Sequence, residues 1–140
     1  MSDIDDAHRW MRQAAADLAT ARDIASSHSY AACFFAQQAA EKAVKALQIA
    51  ASGMLPRTHS LGRLTELTKD VVREFDEAAA RRRAAQLDRL YTETRYPDAI
   101  PDTIPAEYFT RQDADDAIAA ADRIVQAVVR ALPPAPATGD

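Results

Sequence analysis

The sequence predicts an all-α fold: an up-and-down helical bundle of four core helices plus an additional helix, with a proline-rich loop before the last helix. Five segments carry apolar residues at alternating spacings of three and four, which places them on one face of a helix. No segment shows the period-two alternation of a half-buried strand. The 140 residues include 32 alanines, many at these apolar positions. Such small side chains let helices pack near ~8 Å.

The first two predicted helices cover residues 3–26 and 30–52. The apolar positions of the first are Ile4, Ala7, Met11, Ala14, Leu18, Ala21 and Ala25. A short polar break follows, in which His28 is expected to act as a helix cap. The second helix contains no proline or glycine until Gly53, a residue that commonly ends helices in the left-handed conformation. Its small apolar stripe consists of Cys33, Ala36, Ala40, Val44 and Leu47.

The next two predicted helices follow a short connector. Ser60 is the expected N-cap of the third helix, since its hydroxyl can accept from the first free amides. The apolar positions of that helix are Leu61, Leu64, Leu67, Val71 and Phe75. The fourth helix covers residues 76–94, with Ala80, Ala84, Leu87 and either Leu90 or Tyr91 on its apolar face. Its arginines at 81–83 are interpreted as a solvated face paired with Asp76 and Glu77.

Residues 95–111 interrupt the helical pattern with three prolines, each of which disfavours helix at the residue before it. We expect these seventeen residues to lack regular structure and to pack onto the bundle through Tyr96, Ile100, Ile104, Tyr108 and Phe109. Thr110 with Asp113 resembles an N-terminal cap for a fifth helix that ends near residue 132. The predicted domain is therefore residues 1–132, followed by a disordered tail at 133–140.

Composition excludes several classes of protein. The net charge of −4 argues against indiscriminate nucleic-acid binding. A single cysteine, expected to be buried, excludes an intramolecular disulfide, and three dispersed histidines do not form a metal site. No apolar run approaches the length of a membrane span, and the acidic start is unlike a secretory signal. We therefore expect a cytoplasmic protein without a cofactor or a metal.

A row of polar residues runs beside the apolar stripe of the second helix. Its members are Gln38, Glu41, Lys42 and Lys45. Spacing alone favours a solvated helix face, because charged rows usually face water. The alternative is that this polar row belongs to a ligand-binding site. Two motifs later in the chain favour it, His59-Ser60-Leu61 and Arg95-Tyr96-Pro97-Asp98.

These motifs carry a resemblance to a known family. The stretch AQQAAEKAVKAL at 36–47, the two later motifs, Tyr108 and an alanine-rich last helix occur in an order and spacing that resemble the HEPN domain family, named for nucleotide binding in higher eukaryotes and prokaryotes. The resemblance covers residues 4–132. It implies a helical bundle, commonly a homodimer, often paired with a small nucleotidyltransferase in toxin–antitoxin or defence systems. One helix face cannot bury the adjacent Phe34 and Phe35 together, so one of the two rings is expected to face either a partner copy or the proline loop.

The resemblance also implies that some relatives are metal-independent ribonucleases. These carry an arginine and, after four to six residues, a histidine. Arg95 stands where that arginine is expected, but residues 96–102 contain no histidine. Arg22 and His28 have the right spacing. However, a match of this kind is expected by chance in a sequence with three histidines and 14 arginines. The sequence therefore favours a module that binds a nucleotide or a nucleotidyltransferase partner. An RNA-cleaving toxin and a pure protein-interaction module are the alternatives.

The candidate ligand-binding residues follow from this interpretation. Lys42 and Lys45 are proposed phosphate contacts, Arg95 a bidentate fork for a phosphate or a carboxylate, and Tyr96 a stacking or hydrogen-bonding ring. A supporting polar network would comprise Gln38, Glu41, His59 and Asp98. The alternative is that Glu41, His59 and Arg95 only fasten the proline loop to the second helix. No residue is predicted to be catalytic.

Overall fold

The computed structural model describes residues 2–135 of the chain. Six α-helices follow one another: α1 (Asp3–Ile24), α2 (Ser29–Ser52), α3 (Leu61–Thr68), α4 (Ala78–Glu93), α5 (Pro105–Tyr108) and α6 (Arg111–Ala131). A 3-10 helix, Arg73–Asp76, separates α3 from α4. No strand occurs in this part of the chain. The predicted all-α bundle is therefore confirmed.

Helix α2 is the centre of the bundle. It packs against α1 on one side and α6 on another, and α3, α4 and α5 complete its surroundings. Seven of its alanines and valines are fully buried, namely Ala32, Ala36, Ala39, Ala40, Ala43, Val44 and Ala46. Because these side chains are short, the neighbouring helices approach closely and any polar group on α2 lies near several elements at once.

The ends of α2 differ in how well the sequence predicts them. Gly53 closes the helix in the left-handed conformation with φ of 71°, and its N–H donates to the Ile49 carbonyl at 2.7 Å. This prediction is confirmed. A Cβ atom at Gly53 would also lie 2.7 Å from an Asp3 carboxylate oxygen, so glycine is favoured for two reasons. At the other end His28 holds the N-cap position, but its side chain makes no capping hydrogen bond, and that prediction was wrong.

Helices α1 and α6 both begin with a capping box. The Thr110 hydroxyl accepts from the Asp113 N–H at 3.2 Å, and the Asp113 carboxylate accepts from the Thr110 N–H at 2.8 Å. This confirms the predicted start of α6. Ser2 and Asp5 form the same reciprocal pair at the start of α1. Each box satisfies two otherwise unpaired amides and contributes about 1 kcal/mol to helix stability.

Helix α3 is shorter than predicted. It ends at Thr68, whose carbonyl accepts from both Val71 and Val72 N–H groups as the chain turns into the 3-10 helix. The turn changes the register, so Val72 is buried instead of Val71, which is 53% exposed. Leu67 is 44% exposed. The predicted core position Val71 was therefore wrong, because a continuous helical period does not hold across a turn. The prediction for Leu67, which lies in the last turn of α3, was wrong as well.

The proline segment is more ordered than predicted. Pro105 starts the short helix α5 at a position where its missing N–H costs nothing, and its side chain is buried. The expected packing is only partial, because Tyr96, Ile104 and Tyr108 are each between 42% and 51% exposed. At the C-terminus Leu132 is buried and residues 133–135 are exposed. Residues 136–140 of the predicted tail lie outside the described residues.

Candidate functional site

A buried polar network occupies one face of α2. The Glu41 carboxylate, on a residue only 5% exposed, accepts from Gln37 Nε2 through one oxygen and from Lys45 Nζ through the other, both at 3.1 Å. Gln38 donates to the Gln37 side-chain oxygen at 2.7 Å. The interpretation of this row as a solvated face was wrong for Glu41 and Lys45. Buried charges persist only when they are paired and hydrogen-bonded, and this pair is both.

His59 joins this network from outside the helix. It lies in the connector before α3, and its Nδ1 is 3.3 Å from the Glu41 oxygen that Lys45 also contacts. Its ring stacks on the Tyr91 ring of α4, with centroids 4.6 Å apart. The side chain nevertheless remains 52% exposed. A carboxylate on one side and a ring on the other therefore orient an imidazole that solvent can reach.

Arg95 lies immediately after α4 and contacts two aromatic rings. Its guanidinium carbon is 4.2 Å from the centroid of Tyr91 and 4.9 Å from that of Phe34. Cation–π contacts of this kind hold the planar group without using its N–H donors. Arg95 is exposed, and within residues 2–135 no carboxylate pairs with it. Its fork is oriented and available to an anion.

Tyr91 brings together residues that are distant in sequence. His59 and Arg95 both contact the ring of Tyr91. Tyr91 is therefore the residue that links these two side chains. The sequence interpretation included both but did not identify Tyr91 or Phe34 as their supports. The spacing held a signal, because Tyr91 precedes Arg95 by one helical turn and Phe34 precedes Glu41 by two.

Lys42 belongs to a different set of contacts. Its ammonium group donates to Asp17 of α1 at 2.5 Å, and the other Asp17 oxygen accepts from Gln13 at 2.9 Å. Asp17 is 4% exposed. The structure thus separates Lys42, which faces α1, from Lys45, which faces Glu41. The sequence interpretation did not include Asp17, although its place between the apolar positions Ala14 and Leu18 was a signal of burial.

The arrangement of helices can now be compared with known proteins. A family model of the HEPN domain matches residues 7–132. The chain belongs to the HEPN family. The crystal structure of TT1696 from Thermus thermophilus matches with a TM-score of 0.81 and 36% sequence identity, covering 90% of this chain and 98% of that one. The crystal structure of ST0689, an archaeal HEPN homologue, gives 0.73 and 36%, covering 95% and 100%. No curated protein matches significantly.

Two further candidates stand apart from the polar network of this HEPN domain. The side chains of Tyr96 and Asp98 are both exposed and make no hydrogen bond to any residue between 2 and 135. The structure therefore does not bring them into contact with Glu41 or His59. They lie close to Arg95 only through the chain itself, in the first turn of the proline segment.

The Arg22–His28 pair, which matches the spacing of HEPN ribonucleases, forms no joint site. Arg22 pairs with Asp122 of α6 at 3.0 Å, whereas the His28 ring lies 3.1 Å from the Ser27 hydroxyl. Within the described residues no cluster of three potential metal ligands occurs, and no helix is both long and apolar enough to cross a bilayer. Of the predicted site residues that contact one another through the Tyr91 ring, Arg95 and His59 are the two that solvent reaches.

Proposed function

We propose that this HEPN domain is a binding module that recognises a phosphate-bearing ligand through Arg95. The observation that carries the proposal is the guanidinium group held against Tyr91 and Phe34 with its N–H donors free of any carboxylate within the described chain. A planar fork matches two oxygens of a phosphate at once. Because the rings restrict its motion before the ligand arrives, less conformational entropy is lost on binding.

The buried members of the network support Arg95 and His59 and do not contact the ligand. Lys45 is 6% exposed and its ammonium donates to Glu41, so its charge is already compensated. Glu41 and Lys45 fix His59 and, through the His59 ring, the position of Tyr91. We therefore assign Arg95 and His59 to ligand contact, and Glu41, Lys45 and Gln37 to support.

The partner we propose is a small nucleotidyltransferase, with which this module would form a toxin–antitoxin or defence-type pair. Membership of the HEPN family supports this pairing. Co-expression with the product of an adjacent nucleotidyltransferase gene, followed by affinity purification through one of the two chains, tests it. Co-purification is expected. If the two chains do not associate at micromolar concentration, the pairing is wrong, and the ligand proposal for Arg95 is unaffected.

Arg95 substitutions test the ligand proposal directly. Calorimetric titration with ATP and GTP measures affinity, and thermal unfolding measures stability. Arg95→Lys keeps the charge but removes the fork, so we expect binding to weaken about tenfold, the equivalent of one charged hydrogen bond. Arg82→Lys is the control, because Arg82 is exposed on α4 and has no partner among the described residues. If Arg95→Ala lowers the melting temperature and leaves affinity unchanged, Arg95 only fastens the proline segment.

RNA cleavage is the second candidate function, and one observation favours it. His59, oriented by Glu41, contacts the same Tyr91 ring as Arg95, so a histidine from another part of the chain is a candidate for the role of the one absent from residues 96–102. A histidine near an arginine can transfer protons during attack by a ribose 2′-hydroxyl. We rank this second because no histidine follows Arg95 at the spacing of HEPN ribonucleases, and the Arg22–His28 pair, which has that spacing, forms no joint site. Purified protein in a chelator is expected to leave single-stranded RNA intact. Cleavage that His59→Ala abolishes would reverse the ranking.

A further inference from the structure

The two ring nitrogens of His59 have different surroundings. Nδ1 lies 3.3 Å from a Glu41 oxygen. Both Glu41 oxygens already accept hydrogen bonds, one from Gln37 and one from Lys45. An ionised carboxylate only accepts, so Nδ1 must be the nitrogen that donates. Nε2 has no hydrogen-bond partner between residues 2 and 135, and the side chain is 52% exposed.

Glu41 therefore selects the tautomer of the neutral ring. A neutral imidazole carries one proton, and a proton held on Nδ1 leaves Nε2 with a lone pair that can accept but cannot donate. When the ring takes up a second proton, Nε2 becomes a donor and the ring becomes a cation. An anion oxygen that meets a lone pair in the first state meets an N–H group in the second.

This change takes place close to Arg95. The His59 ring centre is 4.6 Å from the centre of the Tyr91 ring, and the Arg95 guanidinium carbon is 4.2 Å from the same point. The two groups are therefore closer together than the screening length of about 10 Å in 0.1 M salt. An anion held by the Arg95 fork would thus feel a positive charge on His59.

His59 is the histidine among several charged or titratable side chains in its surroundings. These others come from its own connector, from α2, from α4 and from the residue just after α4, and they are Arg57, Glu41, Lys45, Asp88, Tyr91 and Arg95. Histidine is the side chain that ordinarily changes its charge between pH 5 and 8. Acidification through this range would therefore add one donor and one positive charge to the site.

We propose that His59 is a proton-controlled donor of the Arg95 site, so that an anion with no proton of its own binds more tightly when the ring is protonated. The affinity is present in full at the acidic end of the range and falls as the pH rises and Nε2 loses its proton. This inference rests on the proposed function, because it needs an anion bound at Arg95.

Sulfate is the probe for this inference, because it keeps the same charge and carries no proton throughout this pH range. Sulfate is titrated into the full chain at about pH 5.5 and about pH 8, and NMR signals of the Arg95 side chain report binding. We expect affinity to be about tenfold higher at the lower pH, the gain of one charged hydrogen bond.

Three variants assign the effect. His59→Ala should bind sulfate as the wild type does at the higher pH and should gain nothing on acidification. His59→Lys carries a donor and a charge at both pH values, so its affinity should stay high at both. His28→Ala is the matched control, because His28 is also exposed and makes no capping bond. It should keep the full pH effect.

Different results would overturn this inference and the proposed function. Nitrogen NMR of the neutral His59 ring, without any ligand, is expected to find the proton on Nδ1, and a proton on Nε2 would overturn the inference alone. So would sulfate binding that depends on Arg95 but is equal at both pH values, or a pH effect that persists in His59→Ala. If Arg95→Ala binds sulfate as the wild type does at both pH values, the proposed function is wrong and this inference with it.

Discussion

At the scale of single residues, Glu41 organises much of the candidate site. One carboxylate accepts from Gln37 and Lys45 and also faces His59, so three side chains from two elements depend on it. No buried side-chain nitrogen or oxygen in the described chain lacks a hydrogen-bond partner. The network is therefore closed on its buried side, while the half-exposed His59 side chain faces solvent.

Removing Glu41 tests this role. In Glu41→Ala, Lys45 would remain buried without a counter-charge, and we expect a loss of about 3–5 kcal/mol in the free energy of unfolding, measured by urea denaturation. Glu66→Ala is the control, because Glu66 pairs with Lys69 on the exposed surface of the bundle and should change stability little. If both variants unfold at the same urea concentration, the buried pair contributes no more than a surface pair.

Cys33 gives a second prediction at this scale. Burial in the core, together with the charges of Asp113 and Asp116, raises the pKa of its thiol from 9.0 to about 12. The thiol is therefore protonated near neutral pH, and an alkylating reagent should label it only after denaturation. The unfolded chain loses the proton first, so the contribution of this thiol to stability should fall as the pH rises from about 9 towards 12. Rapid labelling of the native protein would contradict the burial of Cys33.

The sequence identified the residues of the network better than their environment. Helical spacing grouped Glu41 with Lys45, and the resemblance to the HEPN family added His59 and Arg95. The sequence did not predict that Glu41 and Lys45 are buried, because periodicity shows which residues share a face but not what covers that face. The supports Tyr91 and Phe34 depend on how α4 and α2 meet, which spacing within one helix cannot reveal.

At the scale of elements, α3 is held by a residue of α4. Asp88 accepts from the N–H groups of Leu61 and Gly62 at 2.5 and 3.0 Å, and its carboxylate lies 3.3 Å from the Ser60 hydroxyl. Ser60 itself caps the helix as predicted, accepting from the Arg63 N–H at 3.1 Å. Sequence could suggest the local cap, but a second cap 27 residues away is visible only in the folded chain.

The short length of α3 makes this remote cap important. A helix of eight residues gains little from its own hydrogen bonds, so its N-terminus depends on partners outside it. Asp88→Ala should lower the free energy of unfolding by about 2 kcal/mol, since charged capping bonds are lost. Asp70→Ala is the matched control, because Asp70 is exposed and has no partner among the described residues. Because α3 follows His59 directly, the variant should also loosen that side chain, which NMR of its ring would show.

At the scale of the whole molecule, the charge is negative but its distribution is uneven. The formal net charge is −4, yet the exposed Arg95 fork is paired with no carboxylate among the described residues. Long-range attraction of nucleic acid is therefore weak, and recognition depends on local contacts with individual phosphates. This pattern suits a module that binds a small anion or one defined partner better than a protein that coats RNA.

Self-association is a property of the whole molecule. Membership of the HEPN family favours a homodimer, but the adjacent aromatics now support it less directly. Phe35 packs against the hydrophobic core, and Phe34 contacts Arg95, the first residue of the proline segment. Of the two expected contacts for this ring, a partner copy or the proline loop, the structure shows the second. The remaining exposed apolar side chains include Met54 and Val129, at 71% and 51% exposure, and exposed residues of this kind are normal on monomers as well.

Light scattering of the wild type is expected to give the mass of a homodimer, and a stable monomer at high micromolar concentration would contradict this.

Phe34→Ala separates the two roles of that ring. Because Phe34 lies against Arg95, the variant should keep the mass of the wild type while weakening ATP binding in the same direction as Arg95→Lys. A fall to monomer mass with unchanged affinity would instead place Phe34 in the interface. In that case a second copy of the chain, and not a phosphate, would be the partner of this surface.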